Sequence, residues 1–128
     1  VYDAEERKMI LSNAGNCYPA HYSSVTDTVE SIEAPGLLLG VSADVSYGTS
    51  SFKLSSGDVI ALYTDGIFDV VNYKKEMWGE TNFLDALKKA AKLNGPEEII
   101  EYIMRQITNF KGTEKQFDDM TLVVIKVK

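Results

Sequence analysis

The sequence predicts an α+β fold, and three observations carry that expectation. Short β-branched or alternating runs at residues 7–12, 45–54 and 59–63 are separated by turn residues in the first half of the chain. Two consecutive stretches, 82–93 and 96–107, carry apolar residues at i, i+3 and i+4 spacing and read as a helix pair. A last apolar run, 120–127, returns to strand.

The elements follow in order. Residues 7–12 read as a strand behind the polar turn Glu5-Glu6-Arg7, and Asn13-Ala14-Gly15-Asn16 breaks it. Residues 21–32 are Ser/Thr-rich and moderately β-branched, a short hairpin or an extended loop. Pro35-Gly36 is a turn, and 45–54 alternates as a strand with Gly48 as a possible bulge. Ser55-Ser56-Gly57-Asp58 turns into the run 59–63, a buried strand by its β-branched and aromatic content.

In the first helix, 82–93, Thr81 or Asn82 can cap, Asp85 sits in the first turn, and Asn94-Gly95 stops the element. Pro96 opens the second, with Glu97 and Glu98 at its positive end. Residues 111–116 form a polar loop leading into Asp118.

Composition narrows the class. The chain has 128 residues, enough for one domain with a core but not two. It is 45% hydrophobic and 25% charged, as in soluble globular proteins. A net charge of −6 without a basic run argues against nucleic acid or an anionic membrane as partner. Cys17 is the one cysteine, so no internal disulfide forms, and a cytoplasmic location fits. No stretch has transmembrane length and no signal peptide is present. The chain opens on Val1 instead of Met, which suggests a piece of a longer protein.

Chemistry concentrates at two places. Asp65 ends the apolar run, and Gly66 lets backbone or ligand approach. Asp65-Gly66 between apolar runs is also a strong hairpin signal, with a second strand at 67–71. Asp118 and Asp119 stand side by side before the final strand; adjacent carboxylates repel unless they are solvated, hydrogen-bonded or share a cation. Cys17 and His21, four apart, raise a Cys–His nucleophilic pair. Ser23 occupies the position where a cysteine phosphatase has Arg, so a small, partly buried thiol is the better reading of Cys17, and His21 reads as surface. There is no phosphate-binding Gly-rich loop.

Leu62-Tyr63-Thr64-Asp65-Gly66 together with Asp118-Asp119-Met120-Thr121 resembles the PPM (PP2C-like) serine/threonine phosphatases, in particular their bacterial SpoIIE/RsbU-type branch. The likeness continues through Asn13-Ala14-Gly15 and Pro19, with Asn16 where His is usual, through Leu39-Gly40-Val41, and through Met77-Trp78-Gly79-Glu80. It implies an antiparallel β-sandwich flanked by helices, a short helix at 67–72 in place of the hairpin, and core roles for Met77 and Trp78.

The resemblance further implies a two-metal site for Mn²⁺ or Mg²⁺, with Asp65, Gly66 and Asp118 at the metals and Asp119 holding backbone or a metal-bound water. In such enzymes the ions polarise phosphate and activate the attacking water. The implied catalytic residues are Asp65 and Asp118, and the implied substrate is a phosphorylated regulatory protein such as an anti-sigma-factor antagonist. The family's N-terminal metal motif, an Asp followed by Gly-His-Gly, has no counterpart here. Residues 1–128 therefore correspond to the C-terminal part of such a domain, expected to be inactive alone and to self-associate. The rival reading is a non-catalytic binding domain that kept the fold and lost the site.

Overall fold

A computed structural model describes residues 1–128. In chain order the elements are β1 (Tyr2–Asp3), β2 (Lys8–Leu11), β3 (Ala20–Ser23), β4 (Thr28–Ser31), β5 (Ser50–Lys53), β6 (Val59–Tyr63), a 3₁₀ turn (Asp65–Ile67), α1 (Gly79–Ala90), α2 (Pro96–Lys111) and β7 (Leu122–Lys126). The strands make two antiparallel sheets, one three-stranded in the order β1-β2-β5 and one four-stranded in the order β4-β3-β6-β7.

Three layers follow from the alternation of β6. Val59, Ala61 and Tyr63 face the helices and join Phe83, Leu87, Ile99, Ile103 and Ile107 in the main core. Ile60 points the other way, to a small cluster with Met9, Leu54 and Val127 between the two sheets. α1 packs on β3 and β4, and α2 packs on β7. Lys126 at the end of β7 donates its Nζ to the carbonyls of Ala91 and Leu93, just past α1, where a cation meets the negative end of the helix. The expected α+β architecture with two stacked antiparallel sheets is what is found.

Residues 21–32 resolve to the hairpin, in the register Tyr22↔Val29. The strand expected over 45–54 is confined to Ser50–Lys53. The helix expected at 67–72 shrinks to the 3₁₀ turn Asp65–Ile67. Val71 instead bridges Met77, and the Asn72 side chain accepts the N–H groups of Lys74 and Glu76, so the chain turns back on itself. β-branched Val70 and Val71 suit that excursion better than a helix. The alternative strand at 67–71 does not pair with β6. Trp78 is buried, but Met77 is exposed and anchors nothing.

α1 begins at Gly79, three residues earlier than expected, and neither Thr81 nor Asn82 caps it; the Asn82 amide bonds back to the Trp78 carbonyl. It ends at Ala90, before Asn94-Gly95, and Gly95 is the N-cap of α2 with Pro96 behind it.

Asp58, in the turn before β6, is buried among donors. Its Oδ1 accepts the Ser24 N–H and the Ser24 hydroxyl, both at 2.8 Å, and its Oδ2 accepts the Ser55 N–H at 2.9 Å and faces His21 Nε2 at 3.1 Å. His21 also stacks on Phe52 of β5, with ring centroids 5.6 Å apart, so it links the two sheets and is not the surface residue expected. Burial pushes the Asp58 carboxyl up, but these hydrogen bonds together outweigh it and hold the group below the usual carboxylate range.

A lowered folded pKa stabilises above the unfolded value of about 4 and is lost as pH falls through the folded value. Asp58→Ala is expected to cost about 2–4 kcal/mol at pH 7, since it strands buried donors. The gap from wild type should narrow toward pH 2, and urea denaturation at both pH values checks this. An equal gap at both would remove the charged carboxylate as the cause.

Candidate functional site

The register between β6 and β7 brings the two carboxylate segments together. Tyr63 pairs with Leu122, which sets Thr64 opposite Thr121. The Thr64 N–H donates to the Thr121 carbonyl at 3.2 Å. The Thr64 hydroxyl donates to the Asp119 carbonyl at 3.1 Å and accepts the Thr121 N–H at 3.0 Å. Gly66 lies flush on the same segment: a Cβ there would sit 2.4 Å from the Asp119 carbonyl oxygen and 3.4 Å from that of Asp118. All four residues expected at the site, Asp65, Gly66, Asp118 and Asp119, thus meet at one backbone junction.

Their side chains are held locally and left open. One oxygen of Asp65 accepts the Gly66 N–H at 3.0 Å, and one of Asp118 accepts the Asp119 N–H at 2.8 Å. The three carboxylates are exposed. None takes part in an ion pair; the lysines that do pair bind Asp27 and Glu114. The free donors are hard carboxylate oxygens, the type that Mg²⁺ and Mn²⁺ prefer. Their number falls short of a complete shell, because no group of three or more acidic, His or Cys side chains is arranged to hold a metal ion. The junction therefore presents oxygens of the type a hard cation takes, without a complete ligand set.

Cys17 lies in the field of this site. Burial pushes its thiol up first, the Asp65 charge adds to that, and Glu80 and Asp69 contribute further. A nucleophilic cysteine needs the opposite shift. His21 gives its ring to Asp58, so no Cys17–His21 pair forms. Tyr63 carries a buried hydroxyl without a hydrogen-bond partner; burial, then the Glu80 charge, raises its pKa and keeps it protonated. Beside the junction an open cleft of about 370 Å³ runs between the sheets, lined by Ile10, Leu11, Leu62 and Val123 with Asn13 and Thr64. Reading the sequence missed Thr64, whose hydroxyl has no local signature because both its partners lie more than fifty residues away.

The family described as Stage II sporulation protein E (SpoIIE) matches residues 1–128. Phosphoserine phosphatase RsbU of Bacillus subtilis is 27% identical over 99% of this chain and 37% of its own length. Protein IcfG of Synechocystis is 23% identical over 98% of the chain and 19% of its own length. Among solved structures, the SiaA-PP2C domain of Pseudomonas aeruginosa superposes with a TM-score of 0.80 at 22% identity, covering 96% of this chain and 48% of that one. The PP2C phosphatase domain of SpoIIE from Bacillus subtilis, solved with a fragment of its regulatory domain, gives 0.77 at 22% identity, over 98% of this chain and 36% of that one. The chain thus spans less than half the length of each of these relatives.

The close seat of Gly66 sets an expectation. Gly66→Ala drives a methyl into backbone, which cannot swing aside as a side chain does. The substitution should cost about 1–3 kcal/mol in denaturant unfolding and shift the amide resonances of residues 118–121. Unchanged stability and an unchanged spectrum would mean that the junction is looser than this geometry.

Proposed function

Because the chain belongs to the SpoIIE family along its whole length, we propose that it is the C-terminal part of a metal-dependent phosphatase domain acting on phosphoserine or phosphothreonine in proteins. The observation that supports this most is the junction of Asp65 with Asp118 and Asp119 on a PP2C-type fold. In this reading the free oxygens of Asp65 and Asp118 hold Mn²⁺ or Mg²⁺, and Asp119 orients backbone or a coordinated water. Bound cations supply charge at the phosphate oxygens and a more acidic water. Gly66 and Thr64 keep the two acidic segments at a fixed separation. No side chain of the chain is needed as nucleophile, in keeping with the raised pKa of Cys17.

A phosphorylated regulatory protein, such as an anti-sigma-factor antagonist, is the proposed substrate. A relative named phosphoserine phosphatase and a solved neighbour carrying RsbU and RsbW domains support that class. A cytoplasmic location belongs to the same reading; no helix is long and apolar enough to cross a membrane. The incomplete ligand set favours a second reading, a non-catalytic binding domain of the same fold. In the first reading the remaining ligands come from the preceding part of the domain.

Two outcomes test this. In a protein containing the whole domain, Asp65→Asn and Asp118→Asn should each abolish Mn²⁺-dependent phosphate release from a phosphoprotein, and Cys17→Ser should leave it intact. Activity in both Asp variants with loss in the Cys17 variant would sink the metal mechanism.

The chain by itself should show negligible turnover and should self-associate. β7 is an edge strand, and its Val123 is exposed together with Leu62 of the adjoining β6. Covering apolar surface contributes roughly 25 cal/mol per Å², so pairing through this edge is favourable. Light scattering over a concentration series checks this; a strict monomer at every concentration would contradict it.

A further inference from the structure

We infer that Thr64 is the positioning residue of the acidic junction. Its hydroxyl sets where Asp118 stands relative to Asp65. The inference rests on the proposal above that Asp65 and Asp118 ligate a hard cation.

From Gly112 to Thr121 the chain has no helix or strand. The Asp118 carbonyl accepts from Gln116 and the Asp119 N–H donates to the Asp118 side chain, both within the segment itself, while Lys75 outside it pairs with Glu114, four residues before Asp118. The hydrogen bond that ties Asp119 to the β6 side is the one from the Thr64 hydroxyl to its carbonyl. The same oxygen accepts the Thr121 N–H. One hydroxyl therefore uses its donor and an acceptor lone pair on two residues of the opposing segment. Thr64 itself is fixed by its ladder bond to Thr121 and by the extended backbone (φ −98°, ψ 160°) from which the Asp65 turn begins. Asp65 is the next residue, and Asp118 precedes the bonded Asp119, so the path between the two carboxylates runs through this hydroxyl.

Gly66 completes the device from the other side. Its missing side chain lets the Asp119 carbonyl approach, and the Thr64 hydroxyl holds that carbonyl there. Contact alone permits the approach; the directional bond selects it. Removing the hydroxyl leaves an exposed carbonyl and an exposed N–H that water can satisfy, so the effect on folding is small. The effect on a cation that needs both carboxylates is large, as is usual when a group orienting metal ligands is lost.

The test uses the ¹⁵N-labelled chain titrated with Mn²⁺, a paramagnetic probe that broadens nearby amides even when bound weakly. In the wild type, the Gly66 and Asp119 amides should broaden together over one concentration range. Thr64→Ser keeps the hydroxyl and should match it. Thr64→Val keeps the shape without the bonds and should need about ten-fold more Mn²⁺ for joint broadening, with an unfolding midpoint close to wild type. Thr64→Ala serves where valine disturbs folding. Joint broadening of the hydroxyl-free variant at wild-type concentrations, or weakening of Thr64→Ser to the same degree, overturns the positioning role. Asp65→Asn and Asp118→Asn separate the two levels. If they broaden like wild type, the ligation reading fails and the inference with it; if they lose broadening while Thr64→Val keeps it, only the inference fails.

Discussion

The pairing of β6 with β7, from Val59↔Lys126 to Tyr63↔Leu122, is the constraint on which the rest of the structure depends. Side chains alternate along both strands, so a slip of one residue would turn every one of them to the opposite face. Val124 would leave the helix side, Ile125 would leave the space between the sheets, and Lys126 would lose the carbonyls past α1. The same register sets Thr64 opposite Thr121 and carries Asp119 over Gly66. Core packing and site geometry are therefore one choice: the apolar faces enforce a register that polar groups at the strand end could not enforce alone.

The two faces of β6 are unequally covered. On the helix side, both helices close over Val59, Ala61 and Tyr63. On the other, a three-stranded sheet covers Ile60 but leaves Leu62 and Val123 at an open cleft. Both side chains keep part of their surface in solvent there. Relatives about twice as long as this chain or longer have further polypeptide to place. The open side of the sandwich lies beside the acidic junction, so whatever covers it also borders the site.

How much of this was legible depended on how local its causes are. The run 59–63 and the apolar stripes of the helix pair follow from short-range periodicity and appear where expected. Asp65 stood out because it ends a buried run, while Asp118 and Asp119 were picked out on the family resemblance. The stretch 67–72 did not read correctly, because Val71 meets Met77 and Asn72 organises a turn through Lys74 and Glu76. The boundaries of α1 moved because Trp78 docks in the core and starts the helix early. Asp58, read as a turn residue, owes its role to Ser24 and His21, more than thirty residues away. Thr64 was invisible for the same reason.

Asp58 and the junction carboxylates show a buried acid and exposed acids held in different ways in one chain. Asp58 is buried, and the fold surrounds it with donors on both oxygens, which is the condition for keeping a buried charge. Asp65 and Asp118 each receive one N–H, from the very next residue, and Asp119 stands beside them. Like charges brought close repel, and none of the three carboxylates has a lysine or arginine within ion-pair distance. Thr64 and Gly66 meanwhile hold the segments together, against that repulsion. The charge of Asp58 is thus balanced within the fold, whereas the junction carboxylates face solvent with no cationic side chain in ion-pair contact.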